Sequence, residues 1–212
     1  MILAGDIGGT KTVLGLFEDT VGGLRQVEEI VYGSQEHGAF EEILSNFSNT
    51  HAGQAVQAAC LGVAGPVIDG ACTATNLPWR ISEAGLARAL RTLKVKLVND
   101  LAAMAYGVLF LDDDEFATLN AGTHQKGQGH IAVIAAGTGL GEAFLYWDGK
   151  RHHPIATEGG HATFSPNSEQ EIELLRFLRA RFDGHVSYER VLSGPGLYHI
   201  YEFLRVSSDE PE

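Results

Sequence analysis

Cysteine, tryptophan and methionine occur only twice each in 212 residues, and proline six times. Two cysteines cannot make a disulfide framework. Cys60 falls in an apolar run and Cys72 in a polar turn region, so both read as free thiols in a reducing cytoplasm. Long apolar runs are missing too: nothing approaches the roughly eighteen residues a membrane span needs, and Met1-Ile2-Leu3-Ala4 carries no basic leader, so no membrane partner is expected. Positive charge is scarce. Fifteen Lys and Arg against 27 Asp and Glu give a formal net charge of −12, which repels polyphosphate backbones and argues against nucleic acid as a partner. A single nucleotide stays compatible, because backbone N–H groups and Mg²⁺ can hold its phosphates locally.

Apolar residues make up 44% of the chain and charged ones 20%, the composition of an ordinary globular protein with one large or two small domains. Glycine, at 26 residues, is concentrated in short clusters. The first follows an apolar strand, Ile2 to Ala4. Gly8-Gly9 turns the chain into a second strand, Thr10 to Phe17, and Gly22-Gly23 into a third, Leu24 to Tyr32. A phosphate-binding P-loop or a dinucleotide fingerprint must lead into a helix, and GDIGGTKT leads into a strand with neither spacing. Phe40, Ile43, Leu44 and Phe47 mark one face of a helix. A buried strand from Ala55 to Val63 ends at Gly65-Pro66, Val67 to Thr75 reads as a hairpin about Asp69-Gly70, and Ser82 caps a helix through Leu90.

From Val95 the chain reads VKLVNDLAAMAY: a buried strand, a polar corner at Asn99-Asp100, then helix formers. In open α/β sheets functional groups sit at the carboxyl ends of strands, so a carboxylate at this corner is a candidate for chemistry. The competing reading is that Asp100 only N-caps the helix. The acidic run Asp112 to Glu115 and the polar segment Asn120 to Gly129 suit a linker and loop.

The opening pattern recurs from His130. A strand from Ile131 to Ala135 meets Gly137-Thr138-Gly139-Leu140-Gly141, a second strand runs from Glu142 to Trp147, Asp148-Gly149 turns, and a third runs from Arg151 to Ala156. This predicts an internal duplication. Helices follow: one capped by Ser168 with Glu171 and carrying Ile172, Leu175, Leu178 and Phe182 inward; a short one capped by Ser187 that holds Glu189; and one begun by Pro195 with Leu197, Ile200, Tyr201 and Leu204 on one face.

Two glycine hairpins, each with a threonine, suit a nucleotide held by two halves of a protein. Gly8, Gly9, Gly137 and Gly139 permit close backbone approach to phosphate oxygens, and the Thr10 and Thr138 hydroxyls add donors. Asp6, at the end of the first strand, suits Mg²⁺ held through water. Plain hairpin turns are the competing reading. In Thr157-Glu158-Gly159-Gly160-His161, a carboxylate and an imidazole flanking two glycines can converge on a small polyol. His152, His153 and His161 lack the spacing of a metal site.

LAGDIGGTKT, GVAGPV, TNLPW, VNDLAAMAYG, AAGTGLGEA, TEGGHATFSPNSEQE and HVSYERVLSGPG resemble, in this order, the bacterial ATP-dependent glucokinases of the hexokinase, actin-like ATPase superfamily. The resemblance implies an α/β, two-lobed ribonuclease-H-like fold, with lobes at about 1–110 and 111–212 and glucose in the cleft between them. It implies Asp100 as the base for the glucose 6-hydroxyl, with Asn99, Glu158, His161 and Glu189 as further sugar ligands and Asn76 near the sugar. The hairpins Gly5, Asp6, Gly8, Gly9, Thr10, Lys11 and Gly137, Thr138, Gly139 would hold ATP, with Mg²⁺ at Asp6. The expected partners are glucose and ATP, with a homodimer left open. An aspartate at a helix N-terminus is expected to be ionised at neutral pH, orienting the hydroxyl more than acting as a strong base.

Lys11 leans towards the related repressor and open-reading-frame sugar kinases, but the cysteine-rich zinc segment those carry after EGGH is replaced by TFSPNSEQE. Family members also continue beyond the last helix with a glycine-rich segment for the adenosine and a terminal helix, so the second lobe is expected to be truncated at its C-terminus. A silent sugar-binding module and a kinase for another hexose remain as alternatives.

Overall fold

In the computed structural model, alternate residues of β1 (Ile2–Ile7) and β2 (Lys11–Thr20) turn inward, burying Leu3, Ile7, Leu14 and Leu16. Residues 1–51, 54–74, 77–122 and 128–207 are described. They fall into two units, Met1–Val108 and Leu109–Glu212.

In the first unit β3 (Gly23–Gly33) completes an antiparallel meander with β1 and β2. The chain then forms α1 (Phe40–Thr50), β4 (Ala58–Val63), β5 (Ala71–Thr73), β6 (Arg80–Ser82), α2 (Glu83–Leu90), β7 (Val95–Asn99) and α3 (Asp100–Gly107). The main sheet has the order β3-β2-β1-β4-β7, with β4 parallel to both β1 and β7. As the spacing predicts, α1 buries Phe40, Ile43, Leu44 and Phe47, each worth about 1.5–3 kcal/mol of transfer free energy. Ser82 caps α2 by accepting the Gly85 N–H at 3.1 Å.

The hairpin expected over Val67–Thr75 is only half formed. Asp69 (φ 51°) and Gly70 (φ 69°) make its turn and Ile68 bridges Ala71, but the partner of β5 is β6. Trp79 supplies the reason. Its indole is 2% exposed, packs against Phe40 and donates to the His37 carbonyl at 3.2 Å, so burying this side chain draws β6 onto β5.

The second unit repeats the meander with β8 (Ile131–Ala136), β9 (Leu140–Trp147) and β10 (His152–Thr157), ordered β10-β9-β8 and antiparallel throughout. Its helices are α4 (Glu169–Arg179) and α5 (Gly194–Ser207), around a small core of Phe164, Leu174, Leu178, Val186, Val191 and Phe203. Ser168 caps α4 by accepting the Glu171 N–H at 3.2 Å, while the Glu171 carboxylate reaches one residue further back, to the Asn167 N–H. The apolar face of α5 differs from expectation. Leu197 and Tyr201 are 70% and 61% exposed, whereas Gly196 and Phe203 turn inward. Gly196 sits so near Val191 that a Cβ there would lie 2.4 Å from its carbonyl oxygen, and that close approach sets the helix rotation. Among the described residues no helix is long and apolar enough to cross a membrane.

Candidate functional site

The parallel register of the first sheet aligns three chain exits. Ile7 stands beside Val63, and Val63 beside Asn99, so β1, β4 and β7 all leave the sheet at one level. At this carboxyl edge Asn99, not Asp100, is the N-cap of α3: its Oδ1 accepts the Ala102 N–H at 3.0 Å. The Asn99 amide also donates to the Gly65 carbonyl at 3.3 Å and to Asp100 Oδ1 at 3.0 Å. Asp100 is the first helical residue, half-buried, and its Oδ1 accepts the Leu101 N–H at 2.8 Å. Asn99 therefore takes the N-cap place that the competing reading gave to Asp100, while Asp100 adds a first-turn hydrogen bond of its own. Gly62 makes room for the corner; a Cβ there would lie 3.4 Å from Asp100 Cα. The buried Cys72 thiol is pushed up first by burial and then by the Asp100 charge.

Asp6 pairs with Val13 and Gly62 and is exposed one residue short of this edge. Gly5 points the other way, where a Cβ would meet Leu61 at 2.6 Å and Leu14 at 2.7 Å, so core packing accounts for that glycine. Beyond β1, the four residues Gly8 to Lys11 separate the paired Ile7 and Thr12, and the turn closes with the Gly8 N–H on the carbonyl of Lys11, the first residue of β2, at 3.0 Å. Ser34 pins it: its hydroxyl donates to the Gly8 carbonyl at 2.7 Å, its N–H donates to the Thr10 carbonyl at 3.0 Å, and its oxygen lies 2.9 Å from the buried Thr12 hydroxyl. Nothing in the local sequence marks Ser34 for this, since 22 residues separate it from Thr12.

The second hairpin is one residue shorter. Gly137, Thr138 and Gly139 join Ala136 to Leu140, and the Gly137 N–H donates to the Gly139 carbonyl at 2.8 Å. None of Gly8, Gly9, Gly137 and Gly139 has a positive φ, so backbone handedness does not demand glycine at either tip. At Gly137 a Cβ would meet nothing within 4 Å, which leaves the tip open to approach. At Gly139 it would lie 2.6 Å from Glu189 Oε2, which accepts the Leu140 N–H at 3.1 Å. Glu189 thus lies on the hairpin, in a 3-10 turn (Tyr188–Arg190) that Ser187 precedes without capping.

The sequence Glu158-Gly159-Gly160-His161 also turns in a 3-10 helix beside β9. Here glycine is demanded by packing. A Cβ on Gly160 would sit 2.0 Å from the Leu140 carbonyl oxygen, and one on Gly159 2.0 Å from Glu142 Oε2. The Glu158 and His161 side chains are largely exposed, 3.7 Å apart. Downstream, the Tyr188 N–H donates to the Ala162 carbonyl at 2.9 Å and Thr163 bridges Ser187. The structure therefore brings Gly137–Gly139, Glu158–His161 and Glu189 together around Leu140. Glu142 and Gly194 belong to the same neighbourhood and were not singled out from sequence; the GLGEA and SGPG motifs that contain them were the available signal.

His152 and His153 have ordinary partners: the Gly129 carbonyl at 2.9 Å for one, the Asp148 carboxylate at 2.7 Å for the other. That imidazole, with the Arg151 and Lys150 N–H groups, holds the Asp148 carboxyl well below the usual carboxylate range. Among the described residues no group of three or more His, Cys, Asp or Glu is placed to hold a metal ion. Asn76 lies outside the described residues.

Solved structures place the architecture in the α/β, two-lobed ribonuclease-H-like fold class. A glucokinase from an Antarctic psychrotroph is 30% identical with a TM-score of 0.82, covering 100% of this chain and 66% of its own. A glucokinase from Balamuthia mandrillaris in complex with glucose shares the fold at 22% identity and TM-score 0.72, over 98% of this chain and 63% of its own. The sequence profile of the glucokinase family matches residues 3–212, and the chain belongs to that family. Curated glucokinases from a Nostoc species and from Caulobacter vibrioides are 38% and 40% identical, covering 100% and 94% of this chain. The chain spans 64% and 60% of the lengths of these two relatives.

Proposed function

We propose that this chain carries the phosphate-acceptor machinery of an ATP-dependent glucose kinase: transfer of the ATP γ-phosphoryl group to the 6-hydroxyl of D-glucose, giving glucose 6-phosphate and ADP at the entry to glycolysis. The observation that carries the reading is the Asn99-Asp100 corner, a half-buried carboxylate fixed at the carboxyl edge of β7 in a chain matched by the glucokinase family from residue 3 to 212.

In this reading Asp100 accepts the hydroxyl proton as the O6–P bond forms and the bond from the γ-phosphorus to the bridging oxygen breaks; ADP leaves with the bonding pair. Asn99 holds the carboxylate in place through its 3.0 Å hydrogen bond to Asp100 Oδ1, and is itself a sugar ligand. Glu158, His161 and Glu189 orient the remaining hydroxyls. The amides of Gly8, Gly9 and Thr10, and those of Gly137, Thr138 and Gly139, stabilise phosphate charge, which is the principal form of catalysis available to phosphoryl transfer. Lys11, exposed at the first hairpin, adds a positive charge there. The donor chemistry fits Mg²⁺: Asp6 offers a single exposed carboxylate, and this ion keeps most of its waters. When bound, it would neutralise charge on the transferring phosphoryl group. The setting is the cytoplasm, where Cys60 and Cys72 stay unpaired.

A second reading is a sugar-binding module without turnover of its own. A coupled assay for glucose 6-phosphate on the 212-residue chain, with glucose calorimetry alongside, separates the two. Turnover that falls by about 10³-fold in Asp100→Ala, within the 10²–10⁴-fold range of general bases, supports the kinase. Glucose binding without turnover selects the second reading, and near-normal turnover in Asp100→Ala removes Asp100 from the role of base.

A further inference from the structure

One short segment grips the second glycine hairpin at both ends. On one side the Gly194 N–H, at the start of α5, donates to the Gly137 carbonyl at 2.8 Å. On the other, Glu189 Oε2 accepts the Leu140 N–H at 3.1 Å. Between the two grips the segment is itself tied down. The buried Ser193 hydroxyl donates to the Glu189 carbonyl at 2.7 Å and accepts the Gly196 N–H at 3.0 Å. The beginning of the same segment is fixed to the residues that follow His161, through the Tyr188 N–H on the Ala162 carbonyl and the Phe164 N–H on the Val186 carbonyl at 2.8 Å.

A strap so anchored joins the polyol-type turn to the phosphate-type hairpin, and its side-chain link to the hairpin's far end is one carboxylate. We propose that Glu189 is a positioning residue for the Gly137–Gly139 hairpin, so that filling the Glu158–His161 turn and ordering the hairpin are coupled through that carboxylate. A carboxylate has two oxygens with room for several donors, so Oε2 can hold the Leu140 N–H while a ligand hydroxyl donates to the same group. Anything that fixes the carboxylate fixes the hairpin. The brace rests on the geometry alone; its coupling to a sugar rests on the kinase reading above.

Amide hydrogen exchange of the 212-residue chain tests both parts. In Glu189→Ala, exchange at Leu140 accelerates about tenfold or more while β9 amides such as Leu145 keep their rates; in Glu189→Gln, whose carbonyl still accepts, Leu140 stays within about threefold of wild type. Unchanged exchange at Leu140 in Glu189→Ala overturns the brace. If that variant loosens the whole unit, Glu189→Asp decides in its place: the carboxylate, one methylene short, should free Leu140 alone, and wild-type protection there overturns the brace equally. Glucose should then slow Leu140 exchange in the wild type and fail to do so in Glu189→Ala. Equal slowing in both overturns the coupling. Absence of glucose binding by calorimetry overturns the coupling together with the kinase reading, while the unliganded Glu189→Ala exchange rate still decides the brace by itself.

Discussion

The two glycine hairpins occupy equivalent places in duplicated meanders, yet they are held by opposite chemistry. The first, with four residues between the paired Ile7 and Thr12, is pinned by a neutral hydroxyl and a backbone N–H, both from Ser34, with a lysine where β2 begins. The second, a three-residue loop, is pinned by a carboxylate on the Leu140 N–H and by the Gly194 N–H. Ser34 follows β3, the last strand of its own meander, so the first hairpin is braced locally. Glu189 arrives from beyond α4, on a strap that also touches the Glu158–His161 neighbourhood. The two meanders share their antiparallel strand order and differ in which part of the chain braces each tip. It follows that the second hairpin can sense what happens at the Glu158–His161 turn, whereas Ser34 gives the first no comparable connection.

The largest expected effect comes from Gly160, where the second unit packs backbone on backbone. A methyl group placed 2.0 Å from the Leu140 carbonyl oxygen has no flexible neighbour to displace, so Gly160→Ala should lower stability by about 3 kcal/mol or more. For a chain of this size that is a fall of roughly 6–12 °C in Tm by calorimetry. A shift under about 2 °C would show that the turn and hairpin do not share Leu140 as described. Ser34→Ala, the matching lesion in the first unit, should cost about 2 kcal/mol. It takes the Thr12 hydroxyl's buried partner and the Gly8 carbonyl's donor, and leaving buried polar groups unpaired costs about 1–3 kcal/mol. Denaturant unfolding that matches wild type would mean the first hairpin needs no brace.

Much of this was legible in the sequence because the signals were local. The 3.6-residue spacing of Phe40, Ile43, Leu44 and Phe47, the alternation through β1 and β2, and the recurrence of strand, glycine turn and strand from His130 each depend on residues within one element. The site was legible as motifs but not as contacts. That Asn99 takes the cap and leaves Asp100 in the first turn is a choice between adjacent residues with similar cap preference, decided by the 3.3 Å bond from Asn99 to Gly65 on the neighbouring strand's exit. The pairing of β5 with β6 is set by the burial of Trp79 against Phe40, a contact 39 positions apart in the chain, and the exposure of Leu197 and Tyr201 by the close approach of Gly196 to Val191. Ser34 and Glu189 act on hairpin residues 26 and 49 positions away, beyond the reach of any periodicity.

The smallest effect on stability, and the sharpest on function, is expected at Gly137. A Cβ there meets nothing within 4 Å and the backbone does not require a positive φ, so Gly137→Ala should change folding stability by less than about 0.5 kcal/mol. Its neighbour behaves differently: at Gly139 the same methyl group would press on Glu189 Oε2 and confound a loss of fold with a loss of site. Gly137→Ala therefore isolates the one question that the packing leaves open, which is whether a ligand approaches this tip. If nucleotide phosphate comes to the backbone here, the methyl group occupies its place, and ATP affinity measured by calorimetry should fall about tenfold or more with Tm unmoved. Undiminished ATP affinity would remove the second hairpin from the phosphate site. The glycine would then be a consequence of its short turn, and the first hairpin, with Lys11 at the start of its second strand, would be left as the phosphate-type loop of the pair.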